Sequence, residues 1–345
     1  MIFLIIFFRP NTTAQEFAYD VDFLTYFDNR EYHFSPNLGS SKTFFGFHLT
    51  PAVGLALIDK ENGEHKLLAG ITYIQPFGTD WKSVKILPTV FYNYKKIGFA
   101  LNFGTIPYSK MLEKLPSYFR RSSANYSAPN IQGALFQYKN KIGYVELLCD
   151  WRGMQSKDTR EAFLLAVSGK AQFKMFFFGS IAQMNHLANT LDADEGVCDD
   201  ILINPFAGFD FSKIVFFDKF TIQAGYLFGF QRERITDTKY LPQGGIVDLD
   251  LKWRFLQLKN SFYFGENQMP LYENYKSLLN QGDCIYQANI YNKTDFTFEI
   301  LKKTFVTCKF TWQLHCVPTY ALSHRQLLTL NFNIDGMFCK KNRLY

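Results

Sequence analysis

Six histidines and two closely spaced acidic pairs are the residues with which this chain of 345 amino acids could do chemistry. His48, His65, His186, His315 and His324 fall on or beside stretches that read as extended strand, and His33 lies in the first connection. A histidine partnered by a serine or a carboxylate is the working part of nucleophilic and acid–base hydrolysis. In SHR, 323–325, Ser323 does adjoin His324, yet neighbours on a strand point to opposite faces. No recognisable nucleophile motif surrounds any of the six. Glu146 and Asp150 share one face of GYVELLCDW, and Asp248 and Asp250 share one face of GGIVDLDLKWRFLQ. Paired carboxylates suit acid–base work, but among Lys252 and Arg254 they read more simply as a solvated charge ladder. The expectation is a chain that is not an enzyme and has no catalytic residues. Six cysteines (149, 198, 284, 308, 316 and 339) are scattered without a CxxC pair or a histidine at ligand spacing, so no metal site, cofactor or disulfide framework is expected.

The elements that would position these side chains are strands. Aromatics form 18% of the chain, with 38 Phe and 20 Tyr, a composition that suits pleated sheet better than helix. Mean hydropathy is −0.12, and beyond the first eight residues no apolar run approaches the ~18 residues a membrane helix needs. Period-2 alternation recurs instead. TFVTCKFTWQLHC sets Val306, Cys308, Phe310, Trp312 and Leu314 against Thr307, Lys309, Thr311, Gln313 and His315. QLLTLNFNID and TIQAGYLFGFQ repeat the pattern. Such runs match a tilted membrane strand of about 9–11 residues better than a globular strand of about 5–6.

Strands are expected near 19–28, 42–57, 65–77, 84–94, 97–105, 131–138, 142–151, 159–169, 171–185, 200–217, 220–234, 244–256, 259–266, 284–301, 304–316 and 323–335. Their connections alternate between long and short, with KK at 95–96, KNK at 139–141, DK at 218–219 and KK at 302–303 among the short ones. A soluble sandwich has no reason to sort loop lengths by parity, whereas an outer-membrane barrel does. The fold class expected is all-β: a transmembrane antiparallel β-barrel of about 16 strands, within 14–18, with short periplasmic turns and longer extracellular loops. Polar rows rich in Thr, Asn, Gln, Gly and mixed charges then face a wet lumen, and Trp and Tyr gather near strand ends as interface girdles do. On that reading Asp248, Asp250, Lys252 and Arg254 face the lumen, and Trp253 and Phe255 face lipid.

The order of FLTYFDNREYH, TFFGFHLTPAVGLAL, HKLLAGITYIQPFG and the closing QLLTLNFNI resembles a largely uncharacterised family of porin-like outer-membrane barrels of Bacteroidetes-type bacteria. The resemblance runs over most of residues 19 to 335 and implies an outer-membrane location and passive transport, with no catalytic residues.

At the N-terminus, the apolar run Ile2–Phe8 followed by Thr12-Thr13-Ala14 reads as a secretory signal over 1–14, ahead of one barrel domain at 15–335 and a tail at 336–345. Two long connections carry too many leucines and aromatics to stay solvated: 107–130, with helical spacing in KMLEKL and then Arg120-Arg121, and 267–283, with a similar short helical look. Folding inward, they would narrow the pore. The candidate pore-lining and constricting residues are Arg120, Arg121, Glu146, Asp150, Asp248, Asp250, Lys252, Arg254, Lys309 and His315. The functional expectation is a channel for passive diffusion of small polar solutes. The alternative is a plugged barrel acting as adhesin, receptor or structural partner, and a barrel-embedded hydrolase ranks third. Expected partners are outer-membrane lipid and small polar solutes. The net charge of +6 is spread without a contiguous basic patch, which excludes nucleic acid. A homo-oligomer stays open.

Overall fold

Alternation over long runs produces one closed sheet. The computed structural model describes residues 16–59, 61–192 and 195–338. Its strands are β1 Glu16–Glu31, β2 Lys42–Ile58, β3 Glu64–Pro76, β4 Lys85–Lys96, β5 Phe99–Pro107, β6 Asn130–Lys139, β7 Gly143–Gly153, β8 Ala162–Phe173 and β9 Phe176–Leu187. They continue as β10 Cys198–Asp210, β11 Lys219–Glu233, β12 Thr238–Tyr240, β13 Gln243–Trp253, β14 Leu256–Gly265, β15 Ile290–Lys302, β16 Val306–Cys316 and β17 Ser323–Phe338. Every pairing is antiparallel, and it joins sequence neighbours except where β13 pairs with β11 past β12 and where β17 returns to β1. β12 only extends the free end of β11, which leaves a barrel of 16 strands. β1 closes it by pairing with both β2 and β17, from Phe17 opposite Phe338 to Glu31 opposite His324. Closure leaves no unpaired edge among the described barrel strands, as a strand protein in lipid requires.

The two faces separate cleanly. On β1, Ala18, Asp20, Asp22, Leu24, Tyr26 and Asp28 are buried inside, while Phe17 and Phe27 are exposed outside. On β13, Asp248 and Asp250 line an interior cavity, and Val247 and Trp253 are exposed outside. The orientation expected for this strand therefore holds for both aspartates and for Trp253. Arg254 and Phe255 fall beyond the strand, in the turn to β14. Arg254 there takes φ 54°, and its backbone N–H donates to the Asp218 carboxylate. No helix among the described residues is long and apolar enough to cross a membrane.

Short turns collect at one end. The β4–β5 turn is 97–98, where Gly98 supplies the φ of 75° that a two-residue hairpin needs. The turns at 174–175 and 254–255 are equally tight, with Lys174 and Arg254 at positive φ. Long connections at 108–129 and 266–289 mark the other end. Several expected boundaries move, among them the turn between the eighth and ninth strands, expected at 170 and found at 174–175. The tenth strand stops at Asp210, and 211–218 is a turn whose Ser212 side chain caps Asp210. The fourteenth barrel strand begins at Ile290, because 284–287 winds into a 3-10 turn. The last strand runs on to Phe338, through residues expected in the tail. The segment expected as a signal, 1–14, lies outside the described residues.

Helical geometry is also placed differently. KMLEKL forms no helix, because its ends are held by the wall: Lys110 bonds Asp20, and the Leu112 N–H donates to Glu146 at 2.8 Å. The turn of helix in this loop is α1, Ala124–Ser127, and the second loop carries α2, Tyr272–Leu279, broken at Lys276. Both loops enter the barrel. Tyr118 and Phe119 of the first pack with Met269, Ile285 and Tyr286 of the second against Leu202, Leu227, Ile246, Tyr263 and Tyr291 of the wall. Met111 and Leu115 cover an apolar interior patch of Ala18, Ala52, Leu68, Phe91 and Leu135.

Candidate functional site

The first loop is fastened to the wall by the carboxylates singled out in the sequence. Glu146 accepts from the Leu112 N–H at 2.8 Å and from the Gln137 amide, and Asp150 accepts the Tyr108 hydroxyl and the Gln132 N–H, both at 2.8 Å. Across the lumen the Asn204 amide donates to the Tyr118 hydroxyl, and Gln183 donates to the Phe119 carbonyl at 3.1 Å. Further on, Arg325 donates to Ser122 at 2.9 Å while its other nitrogens clasp Asp28, and Tyr126 stacks on Tyr26 at 3.7 Å. The fixed carboxylates and hydroxyls therefore position a crossing segment.

Arg120 and Arg121 do not face wall carboxylates. The Arg120 guanidinium lies 3.6 Å over the Tyr108 ring and donates to the Ala128 carbonyl at 2.7 Å. Arg121 donates its backbone N–H to the Gln281 carbonyl at 2.7 Å, which ties the two loops together. Loop carbonyls, which the sequence does not reveal as partners, take these donors. On the opposite wall Asp250 holds Lys219 at 2.7 Å and Lys259 at 3.6 Å. Asp248 accepts from Gln223 at 3.3 Å, and Glu299 holds both Lys252 and Lys309. His315 pairs through Nδ1 with the Tyr291 hydroxyl at 2.6 Å. Arg254 stands apart in its turn, over the Trp253 ring at 5.2 Å. A cavity of about 860 Å³ passes beside the crossing loop, from Arg325 and Tyr126 down to Lys219 and Lys259.

Four histidines adjoin a carboxylate: His48 with Asp22 at 3.6 Å, His65 with Asp59 at 3.1 Å, His186 with Asp199 at 2.8 Å and His324 with Glu31 at 3.3 Å. General base catalysis needs the second ring nitrogen free. In His65 it meets the Tyr92 hydroxyl at 2.7 Å, and in His324 it meets the Gln326 amide at 2.6 Å. Two candidates are left. His48 faces the lumen, its Asp22 shared with the Ser109 hydroxyl and its Nδ1 buried without a partner. His186 faces outward at the long-loop end of β9. Its Nδ1 is bound to Asp199, and among the described residues its Nε2 has no hydrogen-bond partner.

His186 belongs to a straight row. Trp151 on β7 is opposite Phe163 on β8, Phe163 is opposite His186, His186 is opposite Asp199 on β10, and Asp199 is opposite Arg232 on β11. The indole stacks on Phe163 at 5.4 Å, and Phe163 stacks on the imidazole at 4.8 Å. Arg234 donates to the second Asp199 oxygen at 2.9 Å. The row joins an aromatic wall, an imidazole held by a carboxylate and a guanidinium. Sequence reading missed it because the strand ends were set at 185 and 200, one residue short of His186 and Asp199. The signal that could have found it is a histidine and an aspartate on the otherwise apolar rows of β9 and β10.

A family profile described as Lipid A 3'-O-deacylase-type matches residues 9–341. Among solved structures the fold is similar to a loop L8 deletion mutant of OmpT, an outer membrane protein of Vibrio cholerae. That match has a TM-score of 0.55 at 9% identity and covers 93% of this chain and 100% of that one. It is also similar to Salmonella typhi OmpF in complex with daunomycin, with a TM-score of 0.50 at 12% identity over 94% and 98% of the two chains. These likenesses establish an outer-membrane type of barrel. No curated protein sequence matches the chain. The expectation that the chain is not an enzyme is overturned by the profile match, since that family is named for an enzyme.

Proposed function

Because the chain belongs to the Lipid A 3'-O-deacylase-type family, we propose that it is an outer-membrane hydrolase that removes an ester-linked acyl chain from a lipid A-type glycolipid, with His186 as the base. The observation that carries this reading is the outward-facing His186–Asp199 pair with Nε2 free, at the end of the barrel that bears the long loops. In an outer-membrane barrel that end faces the cell exterior, so the pair lies at the height of the outer leaflet, where the acyl esters of such a glycolipid reside.

The chemistry follows from the row. Asp199 holds the Nδ1–H and so fixes the tautomer with Nε2 as acceptor. Nε2 takes a proton from water, and the resulting hydroxide adds to the ester carbonyl. Arg234, anchored on Asp199, offers its remaining N–H groups to the oxyanion. Collapse expels the sugar alkoxide, which takes the proton from the His186 imidazolium, leaving a fatty acid and a free hydroxyl. Trp151 and Phe163 supply a flat apolar wall for the acyl chain.

The test is release of fatty acid from lipid A in mixed micelles, read by mass spectrometry. His186→Gln should lower the rate about 10²–10⁴-fold, and His48→Gln should leave it near the starting value. The reverse result would move the site into the lumen, and no release by the wild type would end the hydrolase reading. A second reading, passage of small polar solutes through the lumen, is favoured by the cavity that runs beside the crossing loop. Stepwise conductance in planar bilayers tests it, and silence rejects it.

A further inference from the structure

The outward face of β14 and β15 carries a group that does not belong in a lipid-facing belt. Asn260, midway along β14, and Asn292 and Thr294 on β15 alternate with the inward-facing Lys259, Ser261, Tyr291 and Lys293. They therefore share the outer face with the exposed rings of Phe262, Phe264, Phe296 and Phe298. In register, Leu249, Asn260, Thr294 and Leu314 form one row across β13–β16, with apolar residues on both flanks.

The three side chains bond to one another. The Asn260 amide donates to the Thr294 hydroxyl at 2.8 Å and to the Asn292 oxygen at 3.1 Å. Asn292 donates back to the Asn260 oxygen at 3.3 Å, and the Thr294 hydroxyl donates to Asn292 at 3.2 Å. The valences do not close. An amide has two N–H groups and a carbonyl with two lone pairs. Asn260 uses both N–H groups, whereas Asn292 keeps one, and the Asn260 oxygen keeps one lone pair. Hydrocarbon offers neither an acceptor nor a donor, so each leftover group is costly against lipid.

We propose that this patch is the docking surface for a second copy of the chain, a reading that rests on the barrel lying in the outer membrane. The argument for that partner is complementarity of the patch with itself. A two-fold contact brings the same residues together from both sides. The spare N–H of each Asn292 then meets the spare lone pair of Asn260 in the partner, and the surrounding phenylalanines pack against their counterparts. A lipid tail satisfies neither group.

The experiment places a photo-crosslinking benzoylphenylalanine at Phe262, beside the patch, or at Phe103 on β5, on the far wall, in the full chain in outer-membrane vesicles. The expected result is a self-adduct of twice the chain mass from position 262 and none from 103. Asn292→Leu alone, and Asn260→Leu with Asn292→Leu and Thr294→Val, should reduce that adduct, the triple variant by about fivefold or more, while heat-modifiable migration on gels reports that the barrel still closes. Adducts to lipid alone at 262, equal self-adducts at 262 and 103, or a self-adduct untouched by the substitutions in a folded barrel would overturn the proposal. A chain absent from the membrane fraction would instead remove the location on which it rests.

Discussion

His186 with Asp199 and His48 with Asp22 are the same chemical pair set in two surroundings. The outer pair is at 2.8 Å, is backed by Arg234 and leaves Nε2 open at the rim. The inner pair is at 3.6 Å, shares its carboxylate with Ser109 and buries its free nitrogen beneath the crossing loop. A histidine beside an aspartate is thus not a site in itself. What distinguishes the two is which atom is left without a partner and which phase reaches it. The inner pair belongs to the apparatus that holds a loop, and the outer pair faces away from the lumen at the long-loop end.

The comparison breaks most sharply in activity. Asp199→Asn should cost nearly as much as losing the imidazole, within about 10²–10⁴-fold, because the ring loses the partner that fixes its tautomer. Asp22→Asn should leave the rate of acyl release near that of the wild type. Comparable losses in both variants would erase the distinction.

Stability should sort the opposite way. Asp28→Ala leaves Arg325, which is 3% exposed, without its carboxylate, and breaking a buried pair of this kind costs about 3–5 kcal/mol. Urea denaturation of the detergent-solubilised barrel should show that loss, whereas Asp199→Asn at the rim should shift the midpoint far less. Equal midpoints for wild type and Asp28→Ala would mean that the crossing loop carries no load.

Next in size is the division of faces itself. Leu251→Arg, toward lipid and two residues from the end of β13, should destabilise by about 1 kcal/mol, since the cost of about 2–4 kcal/mol at the bilayer midplane falls toward the interface, and Asp250→Arg by less. Cysteines at the two positions in intact membranes should react with a water-soluble maleimide at 250 and not at 251. Labelling at 251 alone would invert the barrel wall.

The smallest effect concerns the pair at the short-turn end. The Gly63 backbone N–H, and after it His65, hold the Asp59 carboxyl below its ordinary range. A depressed carboxylate contributes stability that is present above its unfolded value and disappears as pH falls through the folded one. Hydrogen exchange at Gly63 should therefore quicken only in acid. Asp59→Asn should remove that pH dependence with little change in global unfolding, because the group lies in the turn between β2 and β3, outside the sheet.

Alternation with period 2 made the barrel, its closed count of strands and the sides of Asp248, Asp250 and Trp253 legible from residue order, since each strand repeats the same two environments. Ends of strands were less legible. Phe211, Ile214, Val215 and Phe216 continue an apolar run past Asp210, yet the chain turns there because Ser212 and Asp210 bond locally. Arg254 looked like part of its strand and lies in a turn for a similar reason, its N–H being taken by Asp218. The rim row was hidden because its members come from five strands and meet only through register. KMLEKL misled by its spacing: local helical preference gave way to bonds with Asp20 and Glu146 on distant strands.

The segment at 108–129 has a mechanical consequence as well. A cylinder one sheet thick ovalises under uneven lateral pressure, and its outer surface then shears. This segment is bonded to Glu146 and Asp150 on β7, Gln183 on β9 and Asn204 on β10, whose outer sides carry Trp151, His186 and Asp199. It also reaches Asp22 on β1 and Arg325 on β17. It therefore acts as a crossbar: flattening the cross-section has to strain bonds to several walls together. The crossbar inside keeps the spacing of the row outside, so a membrane that squeezes the barrel does not pull the imidazole off its carboxylate.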